Sequence, residues 1–281
     1  MRDINAKEVS QTVSRLFQEA NFFLPEDAIT SLKRARESEE SPVAREVIDG
    51  ILQNAEIAAR EKMPLCQDCG AAVVFLELGQ EVHITGGEFY AAVNEGVRQA
   101  YNEGYLRKSM VKQPYSQRVN TKDNTPAIIY TDIVAGDKLR IIAMPKGGGA
   151  ENMTRLAMLP PAGGRQGIVD FVVNAVDEAG SNPCPPVVVG VGIGGTAERT
   201  LMLAKKALLR KIGQPSPDAE VAELEREILQ RINNLGIGPM GYGGRVTALA
   251  VNIEVFPAHI ASMPVAVNMN CHSSRHKEAV L

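Results

Sequence analysis

Long apolar runs are missing from this sequence. The longest uncharged stretches, near residues 179–197 and 255–274, are interrupted by proline and glycine and are too polar to span a bilayer. Met1-Arg2-Asp3-Ile4 offers no apolar core of the kind a signal peptide needs, so a cytoplasmic protein without membrane association is expected. A surplus of positive charge is missing too. Lys and Arg number 30 against 33 Asp and Glu, and the net charge of -3 makes nucleic acid a poor expectation for a partner. Lys205-Lys206 with Arg210-Lys211 reads as the solvated face of a helix. Cysteine is scarce, with four in 281 residues. In a reducing cytosol these point to ligation or redox chemistry rather than to a disulfide framework. Internal repeats are absent, and the linker Gly213-Gln214-Pro215-Ser216-Pro217 is too short to force a boundary, so residues 1–281 are read as one domain.

What is present is the composition of an ordinary globular protein, 44% hydrophobic and 22% charged, long enough to bury a large core. Residues 1–62 read as helical. Val9, Val13, Leu16 and Phe17 recur at helical spacing, and Pro25-Glu26-Asp27 puts proline and acids at a helix start. Ser41-Pro42 opens a third helix with Val47, Ile48, Ile51, Leu52 and Ala55 on one face. Strands are expected at 71–78 and 81–85 around Gly79-Gln80, then a helix at 87–104 with Phe89, Val93, Val97 and Tyr101 four apart. Residues 127–134 and 138–145 predict a hairpin across Ala135-Gly136-Asp137. Helices follow at 165–179, 196–212 and 218–235, with strands at 186–191, 246–256 and 261–269. This pattern predicts an α+β fold, helices packed around small, largely antiparallel sheets, rather than regular βαβ winding.

Chemistry concentrates in Met63-Pro64-Leu65-Cys66-Gln67-Asp68-Cys69-Gly70, where two thiols, an amide and a carboxylate fall at a helix-to-strand junction. A thiolate is a soft metal ligand, and a neighbouring carboxylate can move protons beside whatever that metal binds. Two more cysteines stand singly in Asn182-Pro183-Cys184-Pro185-Pro186 and Asn268-Met269-Asn270-Cys271-His272. Zinc sites usually draw on two close pairs of ligands. A thioredoxin-like site wants its Cys-x-x-Cys at a helix start, whereas Cys69-Gly70 leads into Val73-Val74-Phe75. Thiols from three distant loops suit a cubane iron–sulfur cluster whose fourth iron is left open as a Lewis acid. Cys69 is equally consistent with a small core residue.

Other groups surround this theme. Arg107 offers a planar fork for a carboxylate, and Lys146-Gly147-Gly148-Gly149 lets backbone amides approach a ligand. His259 suits a proton carrier as readily as a structural histidine, while His272, His276 and Ser273-Ser274-Arg275 are weaker candidates. Gly190-Val191-Gly192-Ile193-Gly194-Gly195 matches the dinucleotide fingerprint between a strand and a helix. The second parallel strand ending in an acid, which would hold a ribose, is missing, and a tight structural turn is the better reading.

Four of these stretches, in this order, carry a resemblance over nearly the whole chain. They are Cys66-Gln67-Asp68-Cys69-Gly70, Lys146-Gly147-Gly148-Gly149 with Glu151-Asn152, Asn182-Pro183-Cys184 with residues 189–195, and Asn268-Met269-Asn270-Cys271-His272. Together they resemble the iron–sulfur (class I) fumarases and their tartrate dehydratase relatives. The resemblance implies a [4Fe-4S] cluster held by loops through Cys66, Cys184 and Cys271, with Cys69 a non-ligand. It implies that Gln67, Arg107, Gly148 and Gly149 hold a small dicarboxylate, that Asp68 takes part in proton transfer, and that His259 lies near the site. The implied chemistry is that of a hydro-lyase, interconverting (S)-malate and fumarate plus water or dehydrating L-tartrate, without electron transfer. A chain ending at Leu281 resembles the alpha subunit of the two-subunit form. A separate beta subunit and a larger alpha/beta assembly are therefore expected. The alternative of another class is a non-catalytic iron–sulfur or redox-sensing scaffold, for which Asp68 would carry no activity.

Overall fold

In the computed structural model, which describes residues 1–281, the first part of the chain runs β1 (Arg2–Asn5), α1 (Ala6–Phe22), α2 (Glu26–Ser38), α3 (Pro42–Glu61), β2 (Ala71–Gly79), β3 (Val82–Thr85), α4 (Phe89–Glu103), β4 (Ile128–Val134) and β5 (Leu139–Lys146). It continues with α5 (Gly148–Glu151), β6 (Arg155–Leu159), α6 (Gly164–Ala179), β7 (Val187–Gly194), α7 (Ala197–Ala207), α8 (Ala219–Asn233), β8 (Ala248–Phe256), β9 (Met263–Asn270) and β10 (Lys277–Val280). Helices with small mixed sheets make this an α+β protein, as the sequence predicts. The segments sort into two units: Met1–Leu24, Asn54–Gly148 and Arg275–Leu281 in the first, Pro25–Gln53 and Gly149–Ser274 in the second. No helix is long and apolar enough to cross a membrane.

The first unit is built on β2, whose Ala72, Val73, Val74, Phe75 and Leu76 are all buried. A strand apolar throughout suits the interior of a sheet rather than its exposed edge. The expected hairpin of residues 127–134 and 138–145 therefore does not form: the sheet order is β10-β5-β2-β4, with β2 between its two arms. β4, which exposes Ile133 and Val134, takes the edge. The connection after β4 wraps the end of β2, where the Gly79 N–H donates to the Lys138 carbonyl at 2.9 Å and the Gln80 N–H to that of Val134 at 2.8 Å. Residues 2–5, expected as helix, form β1 and pair in parallel with β3. α1 begins where the Asn5 side chain accepts the Lys7 N–H at 2.9 Å. Its Val9, Val13, Leu16 and Phe17 share one core with Val93, Val97 and Tyr101 of α4 and with Val74, Leu76 and Ile141 of the sheet.

The second unit centres on a sheet of order β6-β9-β7-β8, in which β9 is antiparallel to β6 and β7 while β8 is parallel to β7. The parallel strand that the sequence reading finds missing after the glycine-rich turn is therefore present: β8 follows only after two helices and carries Glu254 opposite Gly192. Side chains of β7 alternate between two faces. Val187, Val189 and Val191 join residues of α6 and α8 in one core, whereas Gly190 and Gly192 meet α7. A Cβ on Gly190 would lie 2.1 Å from the Ala204 carbonyl oxygen, and one on Gly192 2.2 Å from that of Thr200. The glycines let a helix lie directly on the strand, which accounts for the fingerprint-like spacing without a nucleotide.

A buried carboxylate ties this unit together. Glu39, between α2 and α3, accepts the N–H groups of Glu40 at 2.9 Å, Ser41 at 3.1 Å, Arg245 at 2.8 Å and Val246 at 3.0 Å. Burial pulls its pKa upward, but the four backbone donors outweigh that and leave the carboxyl below its ordinary value.

Candidate active site

Leu65 anchors the cysteine turn in the first unit. Its N–H donates to the Asn21 carbonyl of α1 at 2.8 Å, and its own carbonyl accepts Asn54 Nδ2 of α3 at 2.8 Å. Gly70 closes the turn with a φ of 76°, and a Cβ there would lie 2.6 Å from Lys146 N. Only glycine lets β2 begin against β5 at this point. Between these anchors the two thiols part company. Cys66 is partly exposed, whereas Cys69 is 1% exposed and its Sγ accepts the Arg107 N–H at 3.2 Å. Burial pushes the Cys69 thiol above its ordinary pKa, and the Arg107 N–H and the charge of Arg275 offset this only in part.

The floor of the turn is held by polar groups that sequence reasoning missed. The Tyr101 hydroxyl reaches the carbonyls of Cys69 and Gly70 at 2.7 and 2.9 Å, and burial keeps the phenol well above its ordinary pKa and so protonated. Asn124, fully buried, donates Nδ2 to the Gly70 carbonyl at 3.1 Å, while its Oδ1 accepts the Ser109 and Met110 N–H groups at 2.8 and 3.2 Å. Tyr101 was visible in sequence only as part of an apolar stripe, and nothing in the spacing around Asn124 marked its contacts.

Asp68 is fixed from both sides. Its Oδ1 accepts the Gly70 N–H at 3.0 Å and its Oδ2 the Gly148 N–H at 2.7 Å. Beside it, Arg107 Nη1 donates to Gln67 Oε1 at 3.1 Å, and the Asp68 N–H points to Cys66 Sγ at 3.4 Å. The first unit therefore gathers Cys66, Gln67, Asp68, Arg107 and Gly148 in one place.

The second unit brings Cys184 and Cys271 together by strand register. β7 and β9 are antiparallel with Val188 opposite Asn270, so the turn entering β7 and the turn leaving β9 share one end of the sheet. The Cys184 carbonyl accepts the His272 N–H at 3.3 Å and lies 3.1 Å from His272 Nδ1. A carbonyl only accepts, so that ring nitrogen carries the proton. His272 thus bridges the two turns, a part that its place next to Cys271 gave no reason to assign. Gly149 belongs to the same end, since a Cβ on it would lie 3.0 Å from the Asn182 carbonyl oxygen. Both cysteines are free and partly exposed.

His259 departs from the expectation that it lies close to Cys271. It sits in an exposed turn after β8, where its Nδ1 accepts the Ala261 N–H at 3.1 Å and its carbonyl the Ser262 N–H at 2.8 Å. Neighbouring Pro257 accepts the Gly195 N–H at 3.2 Å, at the end of β7 away from Cys184. The eight residues of β9 separate this end from Cys271, a run of roughly 20 Å at the usual rise per residue. Closeness in sequence misled here because a strand intervenes.

The sequence matches the family described as fumarate hydratase (Fumerase) over residues 10–280. The chain belongs to that family. A Methanocaldococcus jannaschii protein with the provisional name L(+)-tartrate dehydratase subunit alpha is 44% identical over 273 residues, covering 95% of this chain and 95% of that protein. The L(+)-tartrate dehydratase subunits alpha of Escherichia coli K12 and Shigella sonnei are each 32% identical over 256 residues, covering 90% of this chain and 84% of theirs. This member of the fumarate hydratase family is a hydro-lyase.

Proposed function

We propose that the chain is the alpha subunit of a two-subunit class I fumarate hydratase, interconverting (S)-malate and fumarate plus water in the cytoplasm, with residues 1–281 as one catalytic domain. The observation that carries this reading is the gathering of Gln67, Asp68, Arg107 and Gly148 around Cys66 in the first unit. An amide, a fixed carboxylate, a guanidinium and a bare backbone beside one accessible thiol are the groups that a hydroxy-dicarboxylate and its labile proton call for.

The family implies a [4Fe-4S] cluster, and Cys66, Cys184 and Cys271 would hold it. The residues present fit such a group. All three thiols are free and partly exposed, as cluster ligands must be, while Cys69 is buried. Three thiolates are the ligand set that leaves one iron without a protein partner. When bound, the cluster supplies a Lewis acid for the departing hydroxyl.

The chain's own residues do the rest. Arg107 takes one substrate carboxylate in its fork, and Gln67, already hydrogen-bonded to Arg107, adds an amide contact. Gly148 and Gly149 let the dicarboxylate approach the backbone closely. Asp68 takes the C3 proton of malate, which is acidified by the adjacent carboxylate, and returns it in hydration. Its fixing by the Gly70 and Gly148 N–H groups matters because positioning supplies much of the barrier reduction. His259 has no step in this scheme. Two substrate charges need more donors than Gln67, Arg107 and the Lys146 stretch provide, and a beta subunit supplies them within a larger assembly of alpha/beta pairs.

L(+)-tartrate dehydration is the second reading, favoured by the names of the relatives. The test loads the chain with cluster anaerobically, with and without a co-expressed beta subunit, and compares kcat/KM for malate and L-tartrate. Malate is expected to win by at least about tenfold, and only with the partner present, because a site built for one hydroxyl leaves the second unpaired. The reverse preference establishes the tartrate reading. No turnover of either acid overturns both.

A further inference from the structure

Arg275 is a buried cation that the scheme above does not use. It is 3% exposed, and its Nη1 donates to Asn21 Oδ1 at 3.1 Å, a neutral acceptor that is itself fully buried. Two other buried charges each meet an opposite charge: Lys205 lies 2.6 Å from Glu151, and Glu225 2.6 Å from Arg210. Arg275 forms no ion pair, and its remaining N–H groups have no partner in the protein. A buried charge without a counter-ion is costly, and a bound anion removes that cost.

The direction of the guanidinium shows where such an anion would sit. The point a Cβ of Gly147 would occupy lies 3.6 Å from Arg275 Nη2 and 3.3 Å from Asp68 Oδ2. Arg275 and Asp68 thus flank the same bare glycine. Asp68 and Arg275 form no ion pair with each other; the two Asp68 oxygens each accept one backbone N–H, from Gly70 and Gly148. Asn21 also donates Nδ2 to the Phe17 carbonyl at 2.9 Å, so the head of Arg275 is held at a fixed point.

We propose that Arg275 is a substrate-binding residue that takes one carboxylate of the dicarboxylate beside Asp68. The inference rests on the dicarboxylate hydro-lyase reading. A planar guanidinium with free parallel N–H groups suits a carboxylate, and an anchored one binds it in a single orientation. Arg107, hydrogen-bonded to Gln67, is the other guanidinium of the first unit's site, and Arg275 adds a second donor to it.

The test uses Arg275→Met and Arg275→Lys in the cluster-loaded chain with its partner subunit. In Arg275→Met, KM for malate is expected to rise about tenfold or more, the effect of a lost charged hydrogen bond, with kcat changed less and iron and sulfide content unaltered. Arg275→Lys should keep part of the affinity. A crystal structure of the wild-type complex with succinate should show a carboxylate oxygen within hydrogen-bonding distance of Arg275 Nη2, and it decides the matter if the methionine variant fails to fold. An unchanged KM in Arg275→Met, or succinate bound with both carboxylates away from Arg275, overturns the proposal. Either result with malate turnover intact leaves the hydro-lyase reading standing, whereas absence of dicarboxylate turnover in the wild type defeats that reading first.

Discussion

The two units present their cysteines by different physical means. In the first, Cys66 and Cys69 sit in one turn whose shape is local: Leu65 and Gly70 pin its ends, and Tyr101 and Asn124 hold its carbonyls. In the second, Cys184 and Cys271 meet because two strands are antiparallel with Val188 opposite Asn270. A turn can be tuned residue by residue, which is how two thiols three positions apart come to differ so much in exposure. A site made by strand register depends on the sheet and on everything packed against it. The first unit should therefore answer to changes in chemistry, and the second to changes in packing.

Asp68→Asn sharpens this contrast most. It removes the proposed proton acceptor and sets an NH2 against the Gly70 or Gly148 N–H, while leaving every thiol in place. kcat for malate should fall by about 100- to 10,000-fold at equal iron content, the span of general acid–base contributions. Unchanged kcat would remove chemistry from the first unit. Gly192→Ala comes next, as a change of packing alone. Its Cβ would meet the Thr200 carbonyl oxygen at 2.2 Å, so α7 must lift from β7 at a cost of about 1–3 kcal/mol, read as a lower urea midpoint. A variant as stable as wild type would show that the sheet of the second unit does not need this contact.

The smallest effect is expected of Glu39→Gln, about 1 kcal/mol near neutral pH. The folded-state pKa of Glu39 lies below its ordinary 4.5, so the carboxylate stabilises the fold above that value and the contribution is lost as pH falls through the lowered one. The urea midpoints of wild type and variant should converge as the pH is taken from 7 toward 3. A gap that persists in acid would mean that shape, not charge, holds this turn.

The same contrast governs what was legible in the sequence. Helix starts at Pro25 and Ser41, the apolar stripes of α1 and α4 and the Cys66 turn are local patterns, and the structure has each of those elements. Strand partners are not local. The place of β2 between β4 and β5 follows from which strand is most apolar on both faces, and β1 exists because β3 offers it an edge. The distance of His259 from Cys271 and the link of His272 to Cys184 are likewise consequences of register. Arg275 was a weak candidate because its surroundings, Asn21 and Gly147, come from segments far away in sequence.

The proposed cluster ligands are Cys66, Cys184 and Cys271, with Cys69 idle. Iron and sulfide content, with visible absorbance, measured on anaerobically loaded Cys66→Ser, Cys69→Ser, Cys184→Ser and Cys271→Ser tests this central assignment directly. Cys69→Ser should retain the cluster, because its thiol is buried and engaged by the Arg107 N–H, and the other three should lose it. A full cluster in Cys184→Ser, or none in a folded Cys69→Ser, would contradict the account.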